Sequence, residues 1–596
     1  MNSKFSLWIV PAASLLVSFA LYANTIGGQF VYDDYIFHTR PELREPAYLP
    51  KVWLQSYLPG NPDDGTYRPL SIFSFSLSYI VFGESPVSFH IVNILLNGLV
   101  VFLTYILIYR LFQNQILAAL TALIFAFLPI HTEVVAYIKS RDELLGAVFA
   151  LLAWLMFLKA TEDKLSYIKL AASGLLFFIS SLAKETLFIL PALFLSVFWI
   201  LQKPKLALLF KSSFAFLAFG FIYMLMRYAA LGKAAFGYNS ASFVINPLNQ
   251  AELPIRLMTA FKMAFIYIQK IIFPANLSAT HAYNHLELVT NPIQGPEFFL
   301  GILSLAILLF LIFYKKTRLT PLGLGALIFL IPYFMVSRFV FTAGELFTER
   351  WMYLPSMGIS LIAAFLFLKF YNFKKWLSLI FLGSILALYS FIAIQRNIVW
   401  TSRQNLFEGM IRDAPNSIQG HLNLAGIYLE KNDLNLAKKH AKIASDIYED
   451  HPYILNLKSI IAVKEGNLEE AARLLLKSKQ IDPTLTQTYQ YLAGVYFAEK
   501  RYQETAEIAL LALRIFPQPQ TKDIITYSAS LAKLGKFPES LAVLEKYLGF
   551  ETQIPQARFI LAINLYKLGR IAEAEKYFDW DNNLTKEEKI KAIEEF

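Results

Sequence analysis

Five short strings set charged side chains among aromatic ones at spacings that suit group-transfer chemistry. The first, Val31-Tyr32-Asp33-Asp34-Tyr35, puts two carboxylates side by side. One of such a pair takes a proton from an acceptor hydroxyl while the other orients it, and like charges at close range raise one of the two pKa values. The same pair also suits a turn or a helix cap, where Asp is common. A metal site is the weaker reading, because no further acidic ligand is spaced to complete it. The other strings are Thr66-Tyr67-Arg68-Pro69-Leu70, His131-Thr132-Glu133 with Lys139 and Arg141-Asp142, Ala183-Lys184-Glu185-Thr186, and Thr348-Glu349-Arg350-Trp351-Met352-Tyr353. Together they offer the cations Arg68, Arg141, Lys184 and Arg350. A phosphate-diester leaving group asks for such a set, with Arg as a fork and Lys as a point charge, stabilising charge that develops in the transition state. Each cation also has an acidic neighbour with which it would pair instead. His90 and Asn93 read as structural, and a His281/His285 metal pair would need a helix that the segment does not suggest.

These residues must be held by a membrane. The chain has 596 residues, 56% hydrophobic, 15% aromatic and 16% charged, with a mean hydropathy of +0.46. Soluble domains carry about 25% charged residues. The net charge of +10 fits cytoplasmic anchoring and anionic lipid phosphates, not a nucleic-acid partner. With no cysteine, disulfides, thiolate catalysis and Cys-ligated metals are excluded. Apolar runs predict about eleven transmembrane helices, at 7–24, 88–109, 116–130, 143–158, 166–182, 187–201, 208–230, 297–314, 319–337, 354–371 and 376–394. The first is read as an uncleaved span. Short loops rich in Lys and Arg place the N-terminus in the cytoplasm and the C-terminus outside. Segment 258–273 gathers Thr259, Lys262, Gln269 and Lys270 on one helical face and reads as interfacial. Segment 69–82 reads as re-entrant or interfacial. Large outer loops then span 25–87 and 231–296, and all five charged strings lie on the outer face. A charge at membrane depth costs about 2.5–3.5 kcal/mol, so this clustering calls for a reason.

Past a linker at 397–414, the chain repeats. Ala437, Ala471, Thr505, Ser540 and Ala574 recur at spacings of 34 or 35 residues, each three residues after Leu434, Leu468, Tyr502, Phe537 and Ile571. Turn pairs precede them: Asn432-Asp433, Gly466-Asn467, Lys500-Arg501, Gly535-Lys536 and Gly569-Arg570. A period of 34 with small residues at helix contacts predicts a tetratricopeptide-repeat (TPR) solenoid of about five repeats over 415–596. Such an array suits a peptide or protein partner. The fold class is therefore all-α, a polytopic membrane domain over 1–396 followed by a soluble solenoid.

In this order the motifs resemble the transmembrane and tetratricopeptide-repeat O-mannosyltransferases of the GT-C superfamily. The matching strings are Phe30 to Asp34, Tyr67 to Leu70, His131 to Ala136 with Arg141 to Leu145, Ala183 to Glu185, and Glu349 to Gly358. The resemblance implies a GT-C membrane domain with an extracytoplasmic active site. It also implies a sugar donor, mannose in the family, linked to polyprenyl or dolichyl monophosphate, and inversion at the anomeric carbon. An acidic base lies in the first outer loop. On that pattern Asp34 or Asp33 is the base, with Asp34 preferred. Tyr67, Arg68, His131, Glu133, Arg141, Asp142, Lys184, Glu185, Glu349, Arg350 and Tyr353 would bind lipid phosphate and sugar, with no cofactor and no metal. The acceptor would be a Ser or Thr hydroxyl of an exported protein held by the repeats. Alternatives are a glycolipid or polysaccharide acceptor, or a non-catalytic membrane-anchored TPR scaffold. The absence of cysteine and the short array point to a prokaryotic cytoplasmic membrane.

Overall fold

A computed structural model describes residues 3–596 except 59–64, 238–244, 280–284, 292, 294, 341–343, 516–519, 551 and 582, and of 3–9 only the backbone. His281 and part of each large outer loop lie outside the described residues. The chain forms two compact units, Met1–Ser417 and Ile418–Phe596.

In the first unit, seven helices among the described residues are long and apolar enough to cross a membrane. They are Pro86–Phe112, Ile138–Ala160, Glu185–Gln202, Leu206–Phe236, Pro296–Phe313, Ser356–Phe373 and Lys375–Val399. Helices Gln115–Phe127 and Pro129–Ala136 would make an eighth, bent by 56°. The bend falls at Leu128, whose extended backbone is what a residue before proline prefers. The expected spans 7–24, 166–182 and 319–337 fall on shorter apolar helices. Tyr167–Ala183 and Pro321–Val336 have 17 and 16 residues. At about 1.5 Å per residue they reach about 24–26 Å, the lower limit for crossing a hydrocarbon core about 30 Å thick. Pro69–Phe82 is a separate 14-residue helix with proline at its start. Leu253–Ile272 is 20 residues long but too polar to count as a span. Its Thr259 and Lys270 are buried, so part of the polar stripe faces protein.

Small residues let these helices approach closely. Ser173 and Ser180 of Tyr167–Ala183 donate to the carbonyls of Ala153 and Gly146 at 2.7 and 2.9 Å. A Cβ at Gly358 would strike the carbonyl of Gly325 on the facing helix. The charged strings sit where elements end, in 3₁₀ turns Tyr32–Asp34, Ile138–Ser140, Glu185–Ile189 and Glu349–Met352. Residues 397–414, expected to be a linker, contain a helix, Arg403–Asp413, and fold with the first unit. Arg396 pairs with Asp413 at 2.6 Å, and Gln29 donates its N–H to the carbonyl of Thr401 at 2.9 Å.

The second unit is a run of helical pairs. First helices begin at Ile418, Pro452, Thr486, Thr521 and Pro555, and second helices at Leu434, Leu468, Tyr502, Phe537 and Ile571. The small residues Ala437, Ala471, Thr505, Ser540 and Ala574 are fully buried. The turns repeat as well: Asn432, Gly466, Lys500, Gly535 and Gly569 all have φ between 58° and 80°. Every pair thus reverses through one left-handed residue, the geometry of a helix C-cap. Asp433 and Asn467 then cap the next helix, each accepting a backbone N–H at 3.0 Å. The last pair ends early, its second helix Ile571–Ala574 passing into a 3₁₀ turn and a final helix Lys586–Glu595. This is a TPR array of five helical pairs.

Candidate active site

The Tyr32–Asp34 turn treats its two carboxylates differently. Asp34 is buried. Its Oδ2 accepts the N–H of Val31 and its Oδ1 the N–H of Lys139, both at 2.8 Å. Burial pushes its pKa up to about 8, against the pull of those two backbone donors. Asp33 stays 30% exposed at its side chain and pairs with Lys139 at 3.2 Å. Its N–H donates to the Tyr137 hydroxyl at 3.1 Å, and the Tyr137 ring stacks on Trp400 at 4.7 Å. Tyr32, just before, has φ 51°, a strained backbone of the kind that accumulates at functional sites. Asp34 therefore clamps the turn, and Asp33 is the carboxylate that the turn presents.

Beside it lies a lattice of ion pairs. Arg68 reaches Asp142 at 2.6 Å and Glu185 at 2.5 Å. Lys184 reaches Asp142 at 3.3 Å and Glu143 at 2.9 Å. Burial works to lower the pKa of Arg68, but Glu185 and Asp142 outweigh it and hold the guanidinium firmly charged. Arg350 bonds Glu133 through a guanidinium N–H at 2.5 Å and its backbone N–H at 2.9 Å, and pairs with Glu345 at 2.9 Å. Burial opposes the charge on Arg350 too, while Glu345, Glu133, Tyr137 and Asp142 sustain it. Burial raises the pKa of Tyr137, with Asp33 and Asp34 adding to the effect and Arg350 opposing it. The three groups thus act on one another through space. Carboxylates outnumber cations here, so an anionic ligand must compete with resident acids.

The remaining expected site residues have other surroundings. Arg141 is fully buried, its guanidinium over the rings of Phe75 and Phe89 at 4.7 and 5.2 Å. It donates to Asn93, Ser78, the Ser74 carbonyl and the Phe89 carbonyl. His131 meets the Ser356 hydroxyl at 2.8 Å and packs on Phe125 and Tyr353. Tyr353 donates to Asn97 at 2.7 Å. Glu349 pairs with Lys270 at 3.3 Å and accepts the Ser278 N–H at 2.8 Å. The Tyr67 hydroxyl donates to the Trp53 carbonyl at 2.6 Å. These residues tie helices and turns together around the lattice. Among the described residues no three His, Cys, Asp or Glu are grouped to hold a metal ion.

Lys139 and Glu143 stand in the strings read from sequence without a role in the site given to either, and Tyr137 and Glu345 are not singled out there. Lys139 lies within a recognised string, two residues before Arg141, and its spacing was a usable signal. Glu345 and Tyr137 gave none, because each is recruited across the fold.

No family model matches the chain. Curated relatives do match most of it. Protein O-mannosyl-transferase TMTC3 of Homo sapiens is 23% identical over 79% of this chain and 60% of its own length. TMTC1 of Homo sapiens is 25% identical over 75% and 56%. TMTC4 of Mus musculus is 28% identical over 71% and 64%. The chain thus spans about three-fifths of the length of the curated relatives it matches. Among solved structures, a TPR protein of Thermus thermophilus aligns with 27% of this chain and 88% of its own, at 20% identity and a TM-score of 0.24. Over most of its length the chain is similar to the transmembrane and tetratricopeptide-repeat O-mannosyltransferases, as its motifs indicate.

Proposed function

We propose that this chain is a membrane glycosyltransferase. It moves a sugar, mannose by analogy with its relatives' names, from polyprenyl or dolichyl monophosphate to Ser or Thr hydroxyls of exported proteins. The observation that carries the reading is the convergence of the Asp33, Arg68, Asp142, Lys184 and Arg350 strings, far apart in sequence, on one polar cluster. The similarity to protein O-mannosyl-transferases over most of the chain supports it.

Asp33, not Asp34, takes the base role. A base must reach the proton that it removes. Asp33 is partly exposed, whereas both Asp34 oxygens accept backbone N–H groups. The hydroxyl proton passes to Asp33, the oxygen bonds to the anomeric carbon from the face opposite the phosphate, and the bond from that carbon to the phosphate oxygen breaks. The electron pair leaves on the lipid phosphate, and the configuration inverts. Among the lattice cations Arg68 has the most exposed side chain, at 12% against 3% for Lys184 and 8% for Arg350, and is the first contact for that phosphate. Lys184 and Arg350, behind it, add positive charge to the developing leaving group. Arg141, caged by aromatic rings, holds the frame. In this arrangement about eleven crossings set the cluster and the repeats on the extracytoplasmic side, and the repeats bind the acceptor.

The test is transfer of radiolabelled mannose from farnesyl phosphate mannose to peptides by the purified full chain in detergent. Wild type should label peptide. Asp33→Asn should lose about 10²–10⁴-fold in rate, the usual contribution of a general base. Asp34→Asn, if it folds, should retain more. Equal loss in both would move the base assignment. Label on lipid alone would shift the acceptor to a glycolipid. No turnover by wild type would leave the scaffold.

A further inference from the structure

Tyr57 lies in the first large loop, outside every motif. Its ring is 3% exposed, wedged edge-on against Phe37 at 5.3 Å and lying under the Arg68 guanidinium at 5.3 Å. Its backbone N–H donates to the Thr66 carbonyl at 3.0 Å, two residues before Arg68. Everything about the ring is fixed, yet the hydroxyl has no hydrogen-bond partner among the described residues. A buried hydroxyl left unpaired costs about 1–3 kcal/mol, so the pairing is expected to come from something else.

The surroundings restrict what that is. Burial raises the pKa of the phenol, and Asp142, Asp33 and Glu185 raise it further while Arg68 opposes them. A phosphate or carboxylate at the hydroxyl would meet those carboxylates unfavourably. A neutral polyol fits, since one of its hydroxyls can accept from Tyr57 and donate to a carboxylate. The ring lies under Arg68 and its phenol feels the charges of Asp142, Asp33 and Glu185, so a sugar held with its phosphate at Arg68 and its anomeric carbon near the base would lie within reach of Tyr57.

We propose that Tyr57 is a specificity-determining residue that hydrogen-bonds a hydroxyl of the donor sugar, a role resting on the glycosyltransferase reading above. Binding separates the two ideas, because it needs no turnover. The full chain in detergent is titrated with farnesyl phosphate mannose and with farnesyl phosphate lacking the sugar, for wild type and Tyr57→Phe. Tyr57→Phe should weaken the mannosyl ligand roughly tenfold and leave farnesyl phosphate unchanged. Because the lost hydroxyl has no partner in the free protein, the melting temperature of the variant should not fall below that of wild type. Monodeoxy-mannose donors sharpen the test: for the analogue lacking the hydroxyl that Tyr57 reads, wild type and variant should bind alike. Equal weakening of both ligands, a lowered melting temperature, or no change at all would overturn the assignment. Discrimination without any sugar transfer by wild type would keep Tyr57 as a sugar contact and remove the transferase. Failure of wild type to bind the mannosyl ligand would remove both.

Discussion

The TPR array and the ion-pair lattice use charge in opposite ways. In the array, most ion pairs lie on the surface, and several join residues within a turn of one another. Arg473 and Glu470, three residues apart, are 64% and 37% exposed at their side chains. In the lattice, pairs are buried and join distant segments: Arg68 with Asp142 across 74 residues, Arg68 with Glu185 across 117, Arg350 with Glu133 across 217. Exposed pairs contribute about 0–1 kcal/mol, whereas a buried pair stripped of one partner leaves an uncompensated charge. The array owes its stability to repeated apolar contacts that each pair makes with its neighbours. The lattice costs desolvation, and it fixes cations and carboxylates from distant strings beside one another, which on the proposed function are a base and its phosphate contacts.

Removing Asp142 strains that contrast most. Asp142→Ala leaves Arg68 with Glu185 and Lys184 with Glu143, but takes from each its most central partner. A loss of about 3 kcal/mol is expected, seen as a lower melting temperature of the full chain in detergent. Arg473→Ala, on the array surface, should stay within about 0.5 kcal/mol of wild type. If the two variants melt alike, the lattice does not hold the first unit together.

The array offers its own sensitive point, in its packing. Ala471 is fully buried where two helices touch, and its side chain has no room to grow. Ala471→Leu should cost about 1–3 kcal/mol through overpacking. Hydrogen exchange on the full chain should show faster opening in Pro452–Lys464 and Leu468–Ile481, spreading only to adjacent pairs. Uniform destabilisation along the whole array would contradict nearest-neighbour stabilisation.

These differences also explain what the sequence could tell. The repeats were legible because everything that builds them lies within one period: the small contact residue, the turn and the cap, as at Gly466, Asn467 and Ala471. The long spans were legible through hydropathy, and the 17- and 16-residue helices Tyr167–Ala183 and Pro321–Val336 carry the same apolar signal at the lower limit of span length. The charged strings were legible as strings, not as partners. Of the two backbone N–H groups that clamp Asp34, only that of Val31 is local; the other belongs to Lys139, 105 residues away, and no local pattern signals it. Arg141 reads like Arg68 in sequence, and only Phe75, Phe89 and Asn93 turn it into a frame residue. Tyr57 had no local signal at all, since its role depends on Arg68 crossing its ring.

The smallest expected effects come from the turns, where the array repeats one backbone conformation with different residues. Gly466 and Lys500 occupy equivalent positions, with φ of 80° and 62°. Glycine adopts this region without penalty, whereas a side chain crowds the following carbonyl. Gly466→Ala should therefore destabilise its pair by about 1 kcal/mol, and Lys500→Gly should relieve strain and add roughly 0.5 kcal/mol, less what glycine costs by loosening the unfolded chain. Nothing lies within 4 Å of a Cβ placed on Gly466, so the alanine effect would come from backbone conformation alone. Local hydrogen-exchange protection in the flanking helices is the measure, falling at Gly466→Ala and rising at Lys500→Gly. Opposite signs would show that the turn geometry is common to the repeats and that Lys500 strains it. The same sign in both would mean that neighbouring contacts, not the left-handed turn, set the stability of each pair.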